Sequence, residues 1–103
     1  MEHARDSARV LLADSMKQLV CKGIPFEKIT IKEITAGAGL IRPTFYRYFV
    51  DKYALLEWIF QHDVLEPSYA LIETKMIDEA ISVVFKRIEM NRAFYACVLR
   101  LEG

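Results

Sequence analysis

The run Arg42-Pro43-Thr44-Phe45-Tyr46-Arg47-Tyr48-Phe49 interleaves cations and aromatic hydroxyls with two phenylalanines. Guanidinium and phenol groups donate hydrogen bonds to phosphate oxygens, and an arginine can also read guanine through two parallel bonds. On a helix, Phe45 and Phe49 share one face as an i, i+4 pair. That face anchors to a core and leaves Arg42, Thr44, Tyr46, Arg47 and Tyr48 on the others. Just upstream, Thr30-Ile31-Lys32-Glu33 is a capping box, in which the Thr30 hydroxyl and the Glu33 carboxylate serve the free amides of a helix start. Ala36-Gly37-Ala38-Gly39 is small enough for a tight turn between the two helices. Two short helices joined by a glycine-containing turn make a helix-turn-helix. In that motif the second helix enters the DNA major groove, with its leading residues at the base edges.

Other chemistries have little material. Cys21 and Cys97 are too far apart in sequence for a disulfide scaffold, and they read as small buried hydrophobes. His3 and His62 have no cysteine or HExxH partner, so no metal site is expected. There is no GxGxxG or Walker pattern, and no pair suited to acid–base or nucleophilic work. The reading is of a protein that is not an enzyme and uses no cofactor.

The elements that position the run are helical. Ala8, Leu12, Met16, Leu19 and Val20 form one apolar face over residues 4–21. Gly23 and Pro25 end it. A second helix begins at Thr30, and a third spans Arg42 to Phe49 with Pro43 in its first turn. Asp51 reads as the N-cap of a fourth, longer helix carrying Leu55, Leu56, Ile59, Phe60 and Val64. Trp58 lies off that stripe, and Pro67-Ser68 is expected to break or kink the helix. Ile77, Ala80, Ile81, Val84, Phe85 and Ile88 mark a fifth helix, with Phe85 and Phe60 expected in the core. Asn91 reads as the cap of a last segment with Phe94, Val98 and Leu101. No alternating run suggests a strand, so the predicted fold class is all-α. A three-helix bundle containing the helix-turn-helix is followed by helices of a second all-α domain.

The 103 residues carry a formal net charge of zero, with 53% hydrophobic and 27% charged residues. No apolar run reaches the ~18 residues of a membrane helix, and the polar start is not a signal peptide. A cytoplasmic protein without membrane contact is expected. Residues 1–53 hold nine Lys/Arg against six Asp/Glu, and residues 54–103 hold five against eight. A basic first half and an acidic second half suggest two jobs.

At Lys28–Ile34, Ala38-Gly39-Leu40, Thr44–Lys52 and Leu55-Leu56 the chain resembles the DNA-binding domain of the tetracycline-repressor (TetR) family, over about residues 8–60. The TFYRYF-x-DK-x-x-LL run is the specific part. The resemblance implies phosphate contacts for Thr30 and Lys32, and base contacts for Arg42, Pro43 and Thr44. It implies backbone and methyl contacts for Tyr46, a groove-facing position for Arg47, and phosphate contacts for Tyr48 and Lys52. Ile41 departs from the family's polar cap, a loss of ~1 kcal/mol. Leu55–Phe60 and Asn91–Tyr95 look like the subset that includes the coactivator of dihydroxyacetone kinase operons.

The resemblance divides the chain into a DNA-binding domain, residues 1–52, and the start of a truncated ligand-binding and dimerisation domain, residues 53–103. It implies a homodimer on a palindromic double-stranded operator and a repressor released by a small-molecule effector. The alternative is a coactivator-type module that keeps the fold and recruits a partner protein.

Overall fold

The computed structural model describes residues 2–99, with side chains from Ser7 onward. Leu101, expected in the last apolar stripe, lies outside the described residues. No strand occurs among those residues. Helix α1 spans Glu2–Cys21, a 3-10 turn spans Phe26–Lys28, α2 spans Ile31–Ala38, α3 spans Arg42–Tyr48 and α4 spans Lys52–Phe60. A π-helical turn, Gln61–Leu65, leads into α5, Glu66–Glu73, followed by α6, Ile77–Met90, and α7, Arg92–Leu99.

The ends of these helices have local causes. Gly23 has φ +91° and Gly39 has φ +71°, a left-handed conformation that lacks a steric penalty only for glycine. Thr30 Oγ1 accepts from the Glu33 N–H at 3.1 Å, and Glu33 Oε1 accepts from the Thr30 N–H at 2.9 Å. Asp51 Oδ1 accepts from the Ala54 N–H at 2.8 Å. Asn91 behaves otherwise than expected. Its side-chain Nδ2 donates back to the Arg87 carbonyl at 2.8 Å, which closes the end of α6.

Leu12, Met16, Ile29, Ile34, Phe45, Leu55 and Ile59 are buried almost completely and form one cluster. Phe94 and Val98 of α7 join that cluster, so the last helix packs back on α1. The crossing of α1 and α2 depends on Gly37. A Cβ placed there would lie 2.3 Å from Ser15 Oγ, and Ser15 itself donates to the Ile34 carbonyl at 2.7 Å. Ala36, Gly37 and Ala38 are therefore helical, with Gly39 as the C-cap, rather than the tight turn expected of them. Their small size serves close helix packing.

Pro67 does not break the long helix. A proline has no N–H for the carbonyl four residues earlier, and that carbonyl belongs to Asp63. Arg87 of α6 supplies the missing donor, with Nε 2.7 Å from the Asp63 carbonyl oxygen. The π turn just before Pro67 widens the ladder, a common accommodation of such strain. Lys17 of α1 pairs with the Asp63 carboxylate from the other side. The chain thus continues helically from α4 to Glu73.

Several expected core residues lie elsewhere. Phe85 is 69% exposed, and Ile77 and Ile81 are exposed as well, because only Ala80 of α6 is fully covered. Phe60 is half-buried and packs edge-on against Tyr95 at 5.9 Å. Cys21 and Cys97 are both exposed. Cys21 closes α1, and Cys97 lies off the Phe94–Val98 stripe that meets the core. Trp58 is half-buried at the edge of the core, against Phe49 and stacked on His62 at 4.6 Å.

Candidate nucleic-acid interface

Helix α3 owes its position to two phenyl rings. Phe45 is fully buried and Phe49 nearly so, with their centroids 5.7 Å apart. Because they occupy one face, Pro43, Tyr46 and Arg47 are carried away from the core, while Arg42 opens the helix one turn before Phe45, and all four are exposed. Arg42 and Tyr46 stand one helical turn apart, as do Pro43 and Arg47. Thr44 and Tyr48 lie on the flanks and are half-buried. The turn into α3 is held by the Leu40 N–H donating to the Thr35 carbonyl at 2.9 Å. Ile41, the residue before α3, makes no side-chain cap and is 65% exposed. Pro43 is tolerated because N–H groups in a first turn have no helical acceptor.

Thr30 and Lys32 are exposed at the start of α2. Thr30 already has a structural task, since its hydroxyl belongs to the capping box. Lys32 has no such task among the described contacts. Its ammonium stands at the helix start, where the dipole already favours anions.

Lys52, for which the resemblance implies a phosphate contact, is committed elsewhere. It is half-buried. Its Nζ donates to the carbonyls of Phe26, Glu27 and Ile29 at 2.6, 3.0 and 2.9 Å, and it lies 4.7 Å from the Phe26 ring centroid. An ammonium has three hydrogens, and all three face carbonyls. Lys52 therefore ties the start of α4 to the 3-10 turn that precedes α2. Its charge still lies at the α4 N-terminus, but its hydrogens are committed to the fold.

The structure adds two residues that sequence reasoning left out. Arg9 of α1 places its guanidinium over the Tyr48 ring, 5.4 Å from the centroid. Tyr53 is 59% exposed beside Phe26 at 5.3 Å. Arg9 was visible only as one of the basic residues of the first half. Nothing in helical spacing brings residue 9 to residue 48, which is a tertiary contact.

The region can present donors to a polyanion along one face. Arg42 and Arg47 supply charge, Tyr46 supplies a hydroxyl with an apolar ring, and Lys32 adds a cation from the neighbouring helix. No group of three or more His, Cys, Asp or Glu able to hold a metal occurs among the described residues. No helix among them is long and apolar enough to cross a membrane.

Comparison with known proteins gives the same region a family. One curated relative is the HTH-type dhaKLM operon transcriptional activator DhaS of Lactococcus lactis subsp. lactis (strain IL1403). It is 34% identical over 85 residues, which is 82% of this chain and 45% of that protein. The chain thus spans under half the length of this relative. No solved structure matches. Residues 11–59, from the middle of α1 through α4, match the family of bacterial regulatory proteins of the tetR type, and by that match and that relative the chain belongs to the tetR family.

Proposed function

We propose that the protein is a sequence-specific DNA-binding transcription regulator that acts as a homodimer on a palindromic double-stranded operator. The observation that carries the reading is the polarity of α3. Phe45 and Phe49 fix it to the core, and Arg42, Pro43, Tyr46 and Arg47 face outward together. In this reading Arg42, Pro43, Thr44, Tyr46 and Arg47 address the major groove. Thr30, Lys32 and Tyr48 address phosphates, and Lys52 acts mainly by holding α4 against the turn at Phe26–Lys28. Residues 1–52 form the DNA-binding unit and residues 53–103 begin a unit for ligand and dimer contacts. Control by a small-molecule effector and repression belong to the same reading.

A second reading has a specific observation in its favour. The DhaS relative is named an activator, and Ile41 exposes an apolar side chain at the leading end of α3. A module that recruits a partner protein fits both.

Selection of bound sequences from a random pool, followed by titrations at two salt concentrations, tests the proposal. An inverted repeat with half-sites roughly 34–36 Å apart is expected. Arg42→Ala is expected to cost ~1–3 kcal/mol on the selected site and to relax one base position. Lys32→Ala is expected to weaken all sequences alike and to lower the salt slope by about one phosphate. Failure of the folded protein to enrich any inverted repeat puts the recruitment reading first.

A further inference from the structure

An exposed isoleucine stands at the leading end of α3. Ile41 is 65% exposed, whereas Leu40 beside it packs against the core. Ile41 lies four residues ahead of Phe45, so it would share the buried face if the helix ran one residue further back. Its backbone is instead extended, at φ −110° and ψ 160°, and the side chain leaves that face. The backbone alone caps the helix. The Ile41 carbonyl accepts from the Thr44 and Phe45 N–H groups at 3.0 and 3.3 Å, and the side chain makes no cap bond. Neither burial nor capping accounts for an isoleucine at this position.

Its surroundings define what such a side chain can meet. Residues 34–50 contain no Asp or Glu. Arg42 and Arg47 are exposed on the same helix, and Lys32 is exposed on α2. An apolar group set among cations suits an apolar point on a polyanion. On the base edges of the DNA major groove that point is the C5 methyl of thymine. Consecutive Cα atoms lie about 3.8 Å apart, and successive bases of one strand about 3.4 Å apart. Ile41 and Arg42 can therefore address neighbouring base pairs.

We propose that Ile41 is a specificity-determining residue that packs on a thymine methyl, next to the base pair addressed by Arg42. This deepens the reading of α3 as the major-groove helix and rests on it. The contact selects thymine over cytosine, because cytosine presents an amino donor in the groove and no methyl. It asks for no hydrogen bond, which an isoleucine side chain cannot make.

The experiment is a binding titration of the 103-residue chain and its variants on the sequence that selection enriches. Each thymine of a half-site is replaced in turn by deoxyuridine, which lacks only the C5 methyl. The wild-type chain is expected to lose roughly fourfold in affinity at one thymine, the worth of one buried methyl-sized group. That thymine adjoins the position that Arg42→Ala relaxes. Ile41→Ala and Ile41→Ser are each expected to bind the thymine and deoxyuridine sites equally. Ile41→Val keeps a branched apolar side chain and is expected to retain the preference. Val50, 76% exposed just after α3, is the control, and Val50→Ala is expected to leave the methyl dependence as it is. Thermal melting checks folding. Ile41→Ser is expected at or above the wild-type midpoint, because a serine there can accept from the Thr44 N–H. A purely structural role for Ile41 would not remove the methyl preference while leaving stability intact. A selected site with no thymine beside the Arg42 position, or a methyl dependence that survives in Ile41→Ala, overturns the proposal and leaves the DNA reading standing. Ile41 variants that bind every site as the wild-type chain does also overturn it, the result expected if a protein partner covers this residue. A folded wild-type chain that enriches no sequence sinks the DNA reading, and this contact with it.

Discussion

In the α1–α3 region Leu12, Met16, Ile34 and Phe45 have no exposed surface, whereas in α5 and α6 Ile72, Ile77, Ile81 and Phe85 keep between 48% and 69% of theirs. Both regions show helical three- and four-residue spacing of apolar residues, so periodicity does not distinguish them. Neighbouring elements do. The stripe of α1 meets α2, α4 and α7, and α3 is anchored in the same core through Phe45 and Phe49. Helix α6 meets α5, the π turn and α7, and its Ile77, Ile81 and Phe85 stay exposed. Amphipathic spacing marks a face that needs a partner, but it does not say whether the partner lies in the same chain.

The largest expected difference follows from that contrast. Phe45→Ala removes a ring from a closed core and is expected to cost about 3–5 kcal/mol through the cavity left behind. Phe85→Ala is expected to stay within about 0.5 kcal/mol, as for surface positions. Urea denaturation followed by circular dichroism reads both. Equal losses would show that α6 shares the main core and that the contrast between the regions is wrong.

Much of the first region was legible because its signals are local. Thr30, Glu33 and Asp51 specify helix starts through side-chain bonds to amides three residues away, Gly23 and Gly39 specify helix ends through a positive φ, and all five behave as their types suggest. The split of α3 into buried phenylalanines and exposed Tyr46 and Arg47 follows from the helical spacing, and Arg42 is exposed because it opens the helix. What was not legible depends on contacts distant in sequence. Lys52 looked like a free cation because its carbonyl partners lie 23 to 26 residues away. Pro67 looked like a break because Arg87 supplies its missing donor from 20 residues downstream. Gly37 looked like turn material because Ser15, which excludes any side chain there, belongs to α1.

Gly37 allows a sharper test of how tightly the first region is packed. Gly37→Ala adds a methyl 2.3 Å from Ser15 Oγ and 3.4 Å from Ser15 Cβ. Overpacking of this kind is expected to cost about 1–3 kcal/mol, despite alanine's better helix propensity. Ser15→Ala removes the offending oxygen together with its bond to the Ile34 carbonyl. The double variant G37A/S15A is therefore expected to be more stable than the sum of the single losses, with a coupling of about 0.5–3 kcal/mol. Strict additivity in thermal melts would mean that α1 and α2 do not meet through this pair. A glycine tolerant of alanine on its own would return the stretch to the role of a flexible turn.

The smallest expected effect lies where the two regions join. Tyr95 of α7 packs edge-on against Phe60 and Phe94, and its buried hydroxyl has no hydrogen-bond partner among the described residues. Burial raises the phenol from 10.0 to about 12, and the nearby Asp63 carboxylate pushes it the same way. The raised value gives the direction of the pH dependence. Below pH 10 both folded and unfolded chains keep the phenol neutral, so the group contributes no slope. Between pH 10 and 12 the unfolded chain releases the proton while the folded chain retains it, so stability falls as pH rises. Tyr95→Phe removes an unpaired hydroxyl without opening a cavity, and such a change is near neutral or stabilising. The variant is expected to melt at or slightly above the wild-type temperature at pH 7. It is also expected to lose the part of the alkaline decline above pH 10 that Tyr95 contributes. Spectrophotometric titration of the tyrosines reads the phenol directly, and melting curves from pH 8 to 12 read the linkage. A variant that melts well below wild type at neutral pH would show that the hydroxyl has a partner after all, and that the contact between α7 and the end of α4 is held by a polar bond rather than by rings.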